Sequence, residues 1–120
     1  MQYLVQMRLS SSARPMTSED GVAFVEQFIF PTLELCKKLQ EGKKIVAGGP
    51  VSGAVALMLI VNAETAQELD DIITSLPVWP RMETEVTPLT TFDDRRQSLA
   101  HRLEALKAQT REMLTAGAGR

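Results

Sequence analysis

The sequence of 120 residues predicts one α+β domain followed by a helical tail. Two apolar patterns lead to this class. A period of two, seen at residues 2–9 and 82–89, indicates strands, because alternate side chains of a strand lie on one face. Apolar residues three or four apart, seen at residues 22–39 and 69–76, indicate helices. The two patterns alternate along the chain, and a chain of this length fits a single domain.

Composition and charge exclude several classes of protein. The chain has 13 Lys and Arg residues against 15 Asp and Glu, with one Cys (Cys36) and one His (His101). A single Cys cannot form a disulfide within the chain, and no Cys/His cluster has the spacing of a zinc site. The balanced charge argues against a nucleic-acid-binding protein, which normally carries a basic excess.

Neither a signal peptide nor a membrane helix is predicted. The N-terminus lacks the basic start, the apolar stretch and the small-residue cleavage site of a signal peptide. The longest apolar run, residues 54–61, is far shorter than the roughly 20 residues that span a bilayer. We therefore expect a cytoplasmic protein that contacts no membrane.

The first strand is predicted at residues 2–9, and its alternation separates two sets of side chains. One set consists of Tyr3, Val5, Met7 and Leu9. The other set consists of Gln2, Leu4, Gln6 and Arg8. The apolar set is expected to face the core and the more polar set to face away from it.

The first helix is expected to begin at Thr17 or Ser18, because hydroxyl side chains cap the free N–H groups of a first turn. Its apolar stripe is Val22, Val25, Phe28, Ile29, Leu33, Cys36 and Leu39. Pro31 has no N–H to donate, so we expect a kink or break between Phe28 and Pro31. Gly42 then ends the helix.

The second and third strands are predicted as neighbours in the chain. The second begins at residues 45–47 and is expected to end at Gly48-Gly49-Pro50, before a turn at residues 52–53. The third is the run at residues 54–61, which is apolar at every position. Such a run is typical of a central strand that is covered on both faces.

The remaining elements complete a β-α-β-β-α-β order. Residues 65–68 match a capping box, Pro77 ends the second helix, and the fourth strand is residues 82–89. This order is that of a ferredoxin-like fold, in which two helices cover one face of a four-stranded antiparallel sheet. Because residues 54–61 are apolar on the uncovered face as well, we predict a homodimer or higher oligomer formed by contact between sheets.

The tail differs from the domain in charge. Residues 1–91, the predicted domain, carry a net charge of −4, whereas residues 92–120 carry +2. The tail has the apolar seam of a helix that packs against a partner. The seam consists of Phe92, Leu99, Leu103, Leu106 and Met113. We expect it to dock on a neighbouring subunit or on its own domain, with the first alternative favoured, and we expect residues 116–120 to be flexible.

A family resemblance covers about residues 1–95. The link at residues 76–80, Leu-Pro-Val-Trp-Pro, followed by Met-Glu-Thr-Glu-Val at 82–86, resembles the end of muconolactone Δ-isomerases. Residues 48–50, Gly-Gly-Pro, give a weaker resemblance to YCII-related proteins. Both families belong to the dimeric α/β-barrel superfamily, which implies a dimeric α/β barrel. The predicted tail adds a C-terminal helix to it.

The resemblance implies a function in aromatic catabolism. Muconolactone isomerases shift a proton within an unsaturated lactone that bears a carboxylate, without a metal or organic cofactor, and they form rings of dimers. Glu85 matches the family's strand glutamate, whereas Leu4 stands at the position of its first-strand His. The implied ligand is a small organic acid or lactone. The alternative is a non-catalytic oligomer of the same fold that binds a small ligand.

Polar residues on two strands are the candidate site. Glu83 and Glu85 share one face of their strand, where a carboxylate between two sheets would act as a general acid or base; the alternative is that both are solvated. Arg8 and Gln6 share the matching face of the first strand. Arg8 is expected either to hold a substrate carboxylate or to pair with one of the glutamates.

Gly49 and Trp79 are further candidates for substrate binding. Gly49 allows a ligand to approach the backbone closely, although a bend at a strand end also accounts for it. Trp79 lies between two prolines, where it lines either a pocket mouth or a subunit contact. Cys36 is expected to be a buried structural thiol, because no His is present in the domain to activate it.

Overall fold

The protein is described by a computed structural model over residues 1–118, and its first compact unit is an α+β fold. The strands are Gln2–Leu9 (β1), Ile45–Pro50 (β2), Ala56–Asn62 (β3) and Met82–Leu89 (β4). They form one antiparallel sheet in the order β2-β3-β1-β4. The helices of this unit are Ser18–Phe24 (α1), Phe30–Glu41 (α2) and Ala66–Ser75 (α3). The predicted β-α-β-β-α-β order is confirmed.

The core lies between the helices and one face of the sheet, which we call the inner face. Its buried side chains include Val5 and Met7 of β1, Leu57, Leu59 and Val61 of β3, and Phe24, Leu69, Ile73 and Leu76 of the helical layer. Each fully buried side chain of this size stabilises the fold by about 1.5 to 3 kcal/mol. Burial of alternate residues in β1 and β3 confirms the period of two that predicted these strands.

The opposite face of the sheet, the outer face, is not covered by any element of residues 1–89. Met58, at its centre, is 45% exposed, and its neighbours Leu4 and Ile60 are half-buried. All three alternate with residues of the core. The outer face therefore presents apolar side chains to water in the single chain.

The first helix contains an irregular turn where a kink was predicted. Thr17 caps it by accepting a hydrogen bond from the Asp20 N–H at 3.0 Å. Between α1 and α2, residues Val25–Ile29 form a π-helical turn, and the Phe30 N–H donates to the Val25 carbonyl five residues earlier. Pro31 has no N–H for the regular pattern, and a π turn accommodates such a defect without breaking the helix.

The π turn changes which helix residues are buried. Phe24 and Thr32 are buried, and neither belongs to the predicted apolar stripe. Val22, Val25 and Leu33, which were assigned to the stripe, are exposed. Because a π turn adds a residue to the helical period, the faces before and after it no longer follow one regular spacing. The stripe prediction is wrong at these positions for that reason.

Strand β2 ends at Pro50, within the segment that was predicted to end it. Both glycines pair with β3, and a β-bulge shifts this pairing between Ile45 and Ala47. Gly48 adopts a positive φ of 106°. A Cβ atom there would lie 2.1 Å from the Met58 carbonyl oxygen, so only glycine fits. The close approach of two backbones, rather than a turn, requires this glycine.

The second compact unit begins at Thr90 and is described by itself. Helix α4 spans Phe92–Ala118, and the Thr91 hydroxyl caps it by accepting from the Asp94 N–H at 3.0 Å. The leucines of the predicted seam are about half exposed along it. Of the expected flexible end, residues 119 and 120 lie outside the described residues. No helix within residues 1–118 is long and apolar enough to cross a membrane.

Replacement of Gly48 tests the backbone contact in β2. We expect Gly48→Ala to lower the free energy of unfolding by about 2 to 4 kcal/mol, because the new Cβ meets a backbone oxygen at a positive φ. Urea denaturation measures this change. The matched control is Gly49→Ala, whose Cβ meets no atom within 4 Å and whose φ is not positive. We expect the control to change stability by less than about 1 kcal/mol, and equal effects at both positions would contradict the assignment.

Candidate functional site

The register of β1 and β4 brings the predicted polar residues together. Gln6 lies opposite Glu85, and Arg8 lies opposite Glu83. Residues directly opposite one another in antiparallel strands project from the same face, with Cβ atoms about 4.5 to 5.5 Å apart. Because Met7, between the two β1 residues, is buried in the core, this face is the outer one.

Gly49 belongs to the same row of residues across the sheet. It lies opposite Met58 of β3, and Met58 lies opposite Gln6 of β1. The row ends at Glu85 on β4 and so crosses all four strands. Gly49 has no side chain, and a Cβ there would meet nothing within 4 Å, so the space above β2 is open.

A cavity of about 200 Å³ lies on this part of the outer face. Its charged and amide lining consists of Gln6, Arg8, Glu83 and Glu85. Its outer-face apolar lining includes Val51, Ala56 and Met58. Four of the predicted site residues thus surround one space, which we call the polar cavity.

Sequence reasoning did not single out the apolar lining of the polar cavity. Ala56 and Met58 occupy alternate positions of β3 and therefore point away from the core. The sequence did indicate that Ala56 and Met58 are apolar residues of the outer face, because the third strand was predicted to be apolar on both faces. What was missing was the register with β1, which places Met58 beside Gln6 and Ala56 beside Arg8.

The charged groups of the polar cavity are not paired with one another. Among residues 1–118, no distance of 4.0 Å or less joins the Arg8 guanidinium to a carboxylate of Glu83 or Glu85. All three side chains are exposed in the single chain. The guanidinium is therefore available for an anion, and both carboxylates are available to accept a proton or a hydrogen bond.

Trp79 lies apart from the polar cavity. It begins a short 3₁₀ helix, Trp79–Arg81, that leads into β4, and it is 39% exposed. Its neighbours hold the link against the first helix. The Val78 N–H donates to the Thr32 hydroxyl at 3.1 Å, and the Arg81 guanidinium lies 4.5 Å from the centre of the Phe28 ring. The Leu-Pro-Val-Trp-Pro link thus serves packing in this chain, and Trp79 itself does not line the polar cavity.

The remaining ionisable groups offer no metal centre. Within the part of the chain that the structure describes, no group of three or more His, Cys, Asp and Glu side chains is placed to hold a metal ion. Glu68 serves the cap of α3, since its backbone N–H donates to the Thr65 hydroxyl at 3.1 Å and its carboxylate pairs with Lys44. The hydrogen bond from Lys44 lowers the pKa of Glu68, which is a structural contact outside the polar cavity.

Comparison with known proteins identifies a family and a fold. The sequence profile of the family described as muconolactone delta-isomerase matches residues 1–95. Among solved structures, the chain is similar to a crystal structure of muconolactone isomerase at 3.3 Å resolution, with 21% sequence identity and a TM-score of 0.62. That similarity covers 76% of this chain and 90% of the other. The search of curated proteins finds no match.

Cys36 lies on α2, half-buried against the core and outside the polar cavity. Burial raises the pKa of the Cys36 thiol, because the thiolate loses hydration there. A raised pKa keeps the thiol protonated at neutral pH, and the thiolate is the reactive form. The geometry is that of a packing residue.

Alkylation of Cys36 tests this environment. Since it is the only cysteine, labelling with iodoacetamide reports on this side chain alone. We expect slower labelling of the folded protein than of the urea-unfolded chain at pH 8, and a folded-state rate that rises only above the ordinary pH range of a thiol. The folded state disfavours the thiolate, so stability should fall as the pH rises past the thiol's ordinary pKa. Labelling of the folded protein at the unfolded rate would overturn the assignment.

Proposed function

Because the chain belongs to the muconolactone delta-isomerase family, we propose that it shifts a proton within a small unsaturated lactone or organic acid at the polar cavity. The observation that carries the proposal is the register of β1 and β4, which gathers Arg8, Gln6, Glu83 and Glu85 around one space without an ion pair between them. A cytoplasmic role in aromatic catabolism is part of the proposal.

Each polar residue has a role that fits its chemistry. Glu85 removes a proton from a carbon next to the conjugated system of the ligand and returns it at another carbon. One C–H bond breaks, the electron pair moves through the double bond, and a new C–H bond forms, so no cofactor or oxidant is consumed. Arg8 holds the carboxylate of the ligand, and the Gln6 amide donates to the carbonyl oxygen on which negative charge develops.

Glu83, Gly49 and Trp79 have supporting roles in this proposal. Glu83 is a second carboxylate of the same cavity, opposite Arg8, and can relay or share the proton. Gly49 leaves space for the ligand over β2. Trp79 lies elsewhere in the single chain. Its proposed role is therefore to form a contact between subunits rather than to bind the ligand directly.

A second copy of the chain completes the site. In the single chain the polar cavity is open, and water competes for every hydrogen bond. The apolar outer face, with Leu4, Met58 and Ile60, supports dimerisation through the sheets, because pairing two such faces removes them from water. The same contact would exclude water from Glu85 and make its carboxylate a better base.

Replacement of Glu85 tests the proton transfer. With a muconolactone-type substrate, we expect Glu85→Gln to lower kcat by about 10² to 10⁴, the range for loss of a general acid or base. A matched control is Glu34→Gln, an exposed carboxylate on α2, which should leave kcat unchanged. Arg8→Met should act mainly on KM, with a rise of about tenfold or more from the lost ionic hydrogen bonds.

Equal rates for wild type and Glu85→Gln would remove Glu85 from the mechanism. Binding of the lactone without turnover by the wild type would support the alternative, a non-catalytic oligomer of this fold that binds a small ligand.

Replacement of Met58 tests the dimer. We expect wild type to sediment as a dimer or larger oligomer at micromolar concentration and Met58→Lys to shift it towards monomer, because a buried unpaired charge costs several kcal/mol. Val22→Lys is a matched control, since Val22 is 58% exposed in the helical layer on the other side of the sheet. A wild-type monomer at micromolar concentration, or equal sedimentation of the two variants, would speak against contact through the outer face.

A further inference from the structure

The tail helix α4 carries basic side chains beside its apolar seam. Leu99 and Leu106 of the seam are about half exposed. Arg95 and Arg102 stand four positions before these two leucines, and residues four apart are neighbours on a helix surface. Within residues 1–118, neither arginine forms an ion pair with a carboxylate. One flank of the seam is therefore lined by free positive charge.

The other flank of the seam is basic as well. Arg96 stands three positions before Leu99, and Lys107 stands four positions after Leu103. At 3.6 residues per turn, the side of the helix opposite the seam carries the acids Asp94, Glu104 and Glu112. The seam with its two flanks is thus an apolar and positively charged surface, which favours a partner that is apolar and negatively charged.

A surface of that chemistry lies on the first helix, across its π turn. Val22 and Phe30 are each 58% exposed, and Val25 and Leu33 are each 38% exposed. The Phe30 N–H donates to the Val25 carbonyl, which places Phe30 one turn beyond Val25. The other two steps are of three residues, so the four side chains form one strip. We call this strip the exposed row.

Three glutamates border the exposed row. Glu19 stands three positions before Val22, and Glu26 stands four positions after it. Glu34 stands four positions after Phe30. All three glutamates are exposed, and within the described part of the chain none of them forms an ion pair. The exposed row therefore offers apolar contact beside unpaired negative charge.

The two surfaces also match in spacing. Glu19 and Glu26 are seven positions apart, and so are Arg95 and Arg102. Seven positions correspond to about 10 Å along a helix axis. The acidic border ends at two bases, Lys37 and Lys38. Two helices lying side by side in parallel would therefore bring two arginines to two glutamates at the same interval.

A second copy of α4 is a poorer partner for the seam. In a parallel pair, Arg102 of one helix would face Lys107 of the other, because these positions flank the core of a coiled coil. Arg96 and Thr110 would also occupy positions of the apolar core. Like charges and polar core residues both weaken such a pair. The charge pattern thus favours the exposed row over a second seam.

We propose that α4 of one copy of the chain docks on the exposed row of a second copy, with Arg95 and Arg102 opposite Glu19 and Glu26. Apolar contact stabilises the complex, and the charged borders select the partner and the register. Because the two surfaces differ, the contact is heterologous, a type that builds rings when the rotation closes. The contact goes beyond the proposed function, and α4 after residue 95 lies beyond the match to the family profile.

Charge reversal in the full chain tests the contact. Every chain compared carries Met58→Lys, so that pairing of outer faces does not contribute to self-association. The reversed-tail variant adds Arg95→Glu and Arg102→Glu, and the reversed-row variant adds Glu19→Lys and Glu26→Lys. In sedimentation equilibrium, we expect each to associate about ten- to hundredfold more weakly than the chain with Met58→Lys alone.

A matched control separates the contact from the change in net charge. Asp70→Lys with Asp71→Lys changes the charge as much as the reversed-row variant does, but on exposed positions of α3. We expect this control to associate as the chain with Met58→Lys alone does. If a reversed variant loses its helical circular dichroism, Leu103→Gln removes apolar contact without changing the charge and should weaken association as well.

An equimolar mixture of the reversed-tail and reversed-row variants distinguishes contact between copies from contact within one chain. In the mixture, each tail finds opposite charge only on a row of the other variant, so we expect association to recover. A tail that docks on its own domain remains mismatched in both variants, and the mixture would then show no recovery.

Three results would overturn the proposal. The first is a chain with Met58→Lys alone that stays monomeric throughout the micromolar range. The second is association that falls in the reversed-tail variant but not in the reversed-row variant, which would indicate pairing of α4 with another surface. The third is a mixture that does not recover. None of these results depends on whether Glu85 is needed for turnover or whether outer faces pair.

Discussion

The antiparallel pairing of β1 with both β3 and β4 is the constraint on which the rest of the structure depends. β1 lies inside the sheet, so its alternation fixes two faces at once. Val5 and Met7 enter the core, and Gln6 is thereby placed between Met58 and Glu85 on the other side. A slip of one residue would move the polar groups into the core and the core residues into water. The strand register that forms the core therefore also determines which side chains line the polar cavity.

Most of the fold could be predicted because its signals are local. The alternation in residues 2–9 and 82–89 and the cap at Thr65 concern neighbours in the chain, and the structure confirms them. Prediction from the sequence failed where the structure depends on an irregular helical turn or on a contact between residues that are far apart in the chain. The period of the first helix changes at a π turn, so Val25 and Leu33 lie outside the core. Nor could a local pattern show that Gly48 is required by its approach to Met58, a residue on another strand.

The candidate site, too, could be predicted only where its signals are local. That Glu83 and Glu85 share a face follows from the strand period alone, and the face of Arg8 and Gln6 follows likewise. Their meeting across β1 and β4 needed the register, which the sequence pattern does not give. The hydrogen bond from the Val78 N–H to the Thr32 hydroxyl could not be predicted, since it joins segments 46 positions apart.

The irregularities of β2 have a consequence for the edges of the sheet. β2 and β4 are the edge strands, and an exposed edge is a template for another strand. β2 carries a bulge, a glycine with positive φ and Pro50, while β4 contains Pro88, which offers no N–H to a neighbour. Strand addition is discouraged at both ends. The sheet is thereby protected from open-ended, amyloid-like growth along its edges.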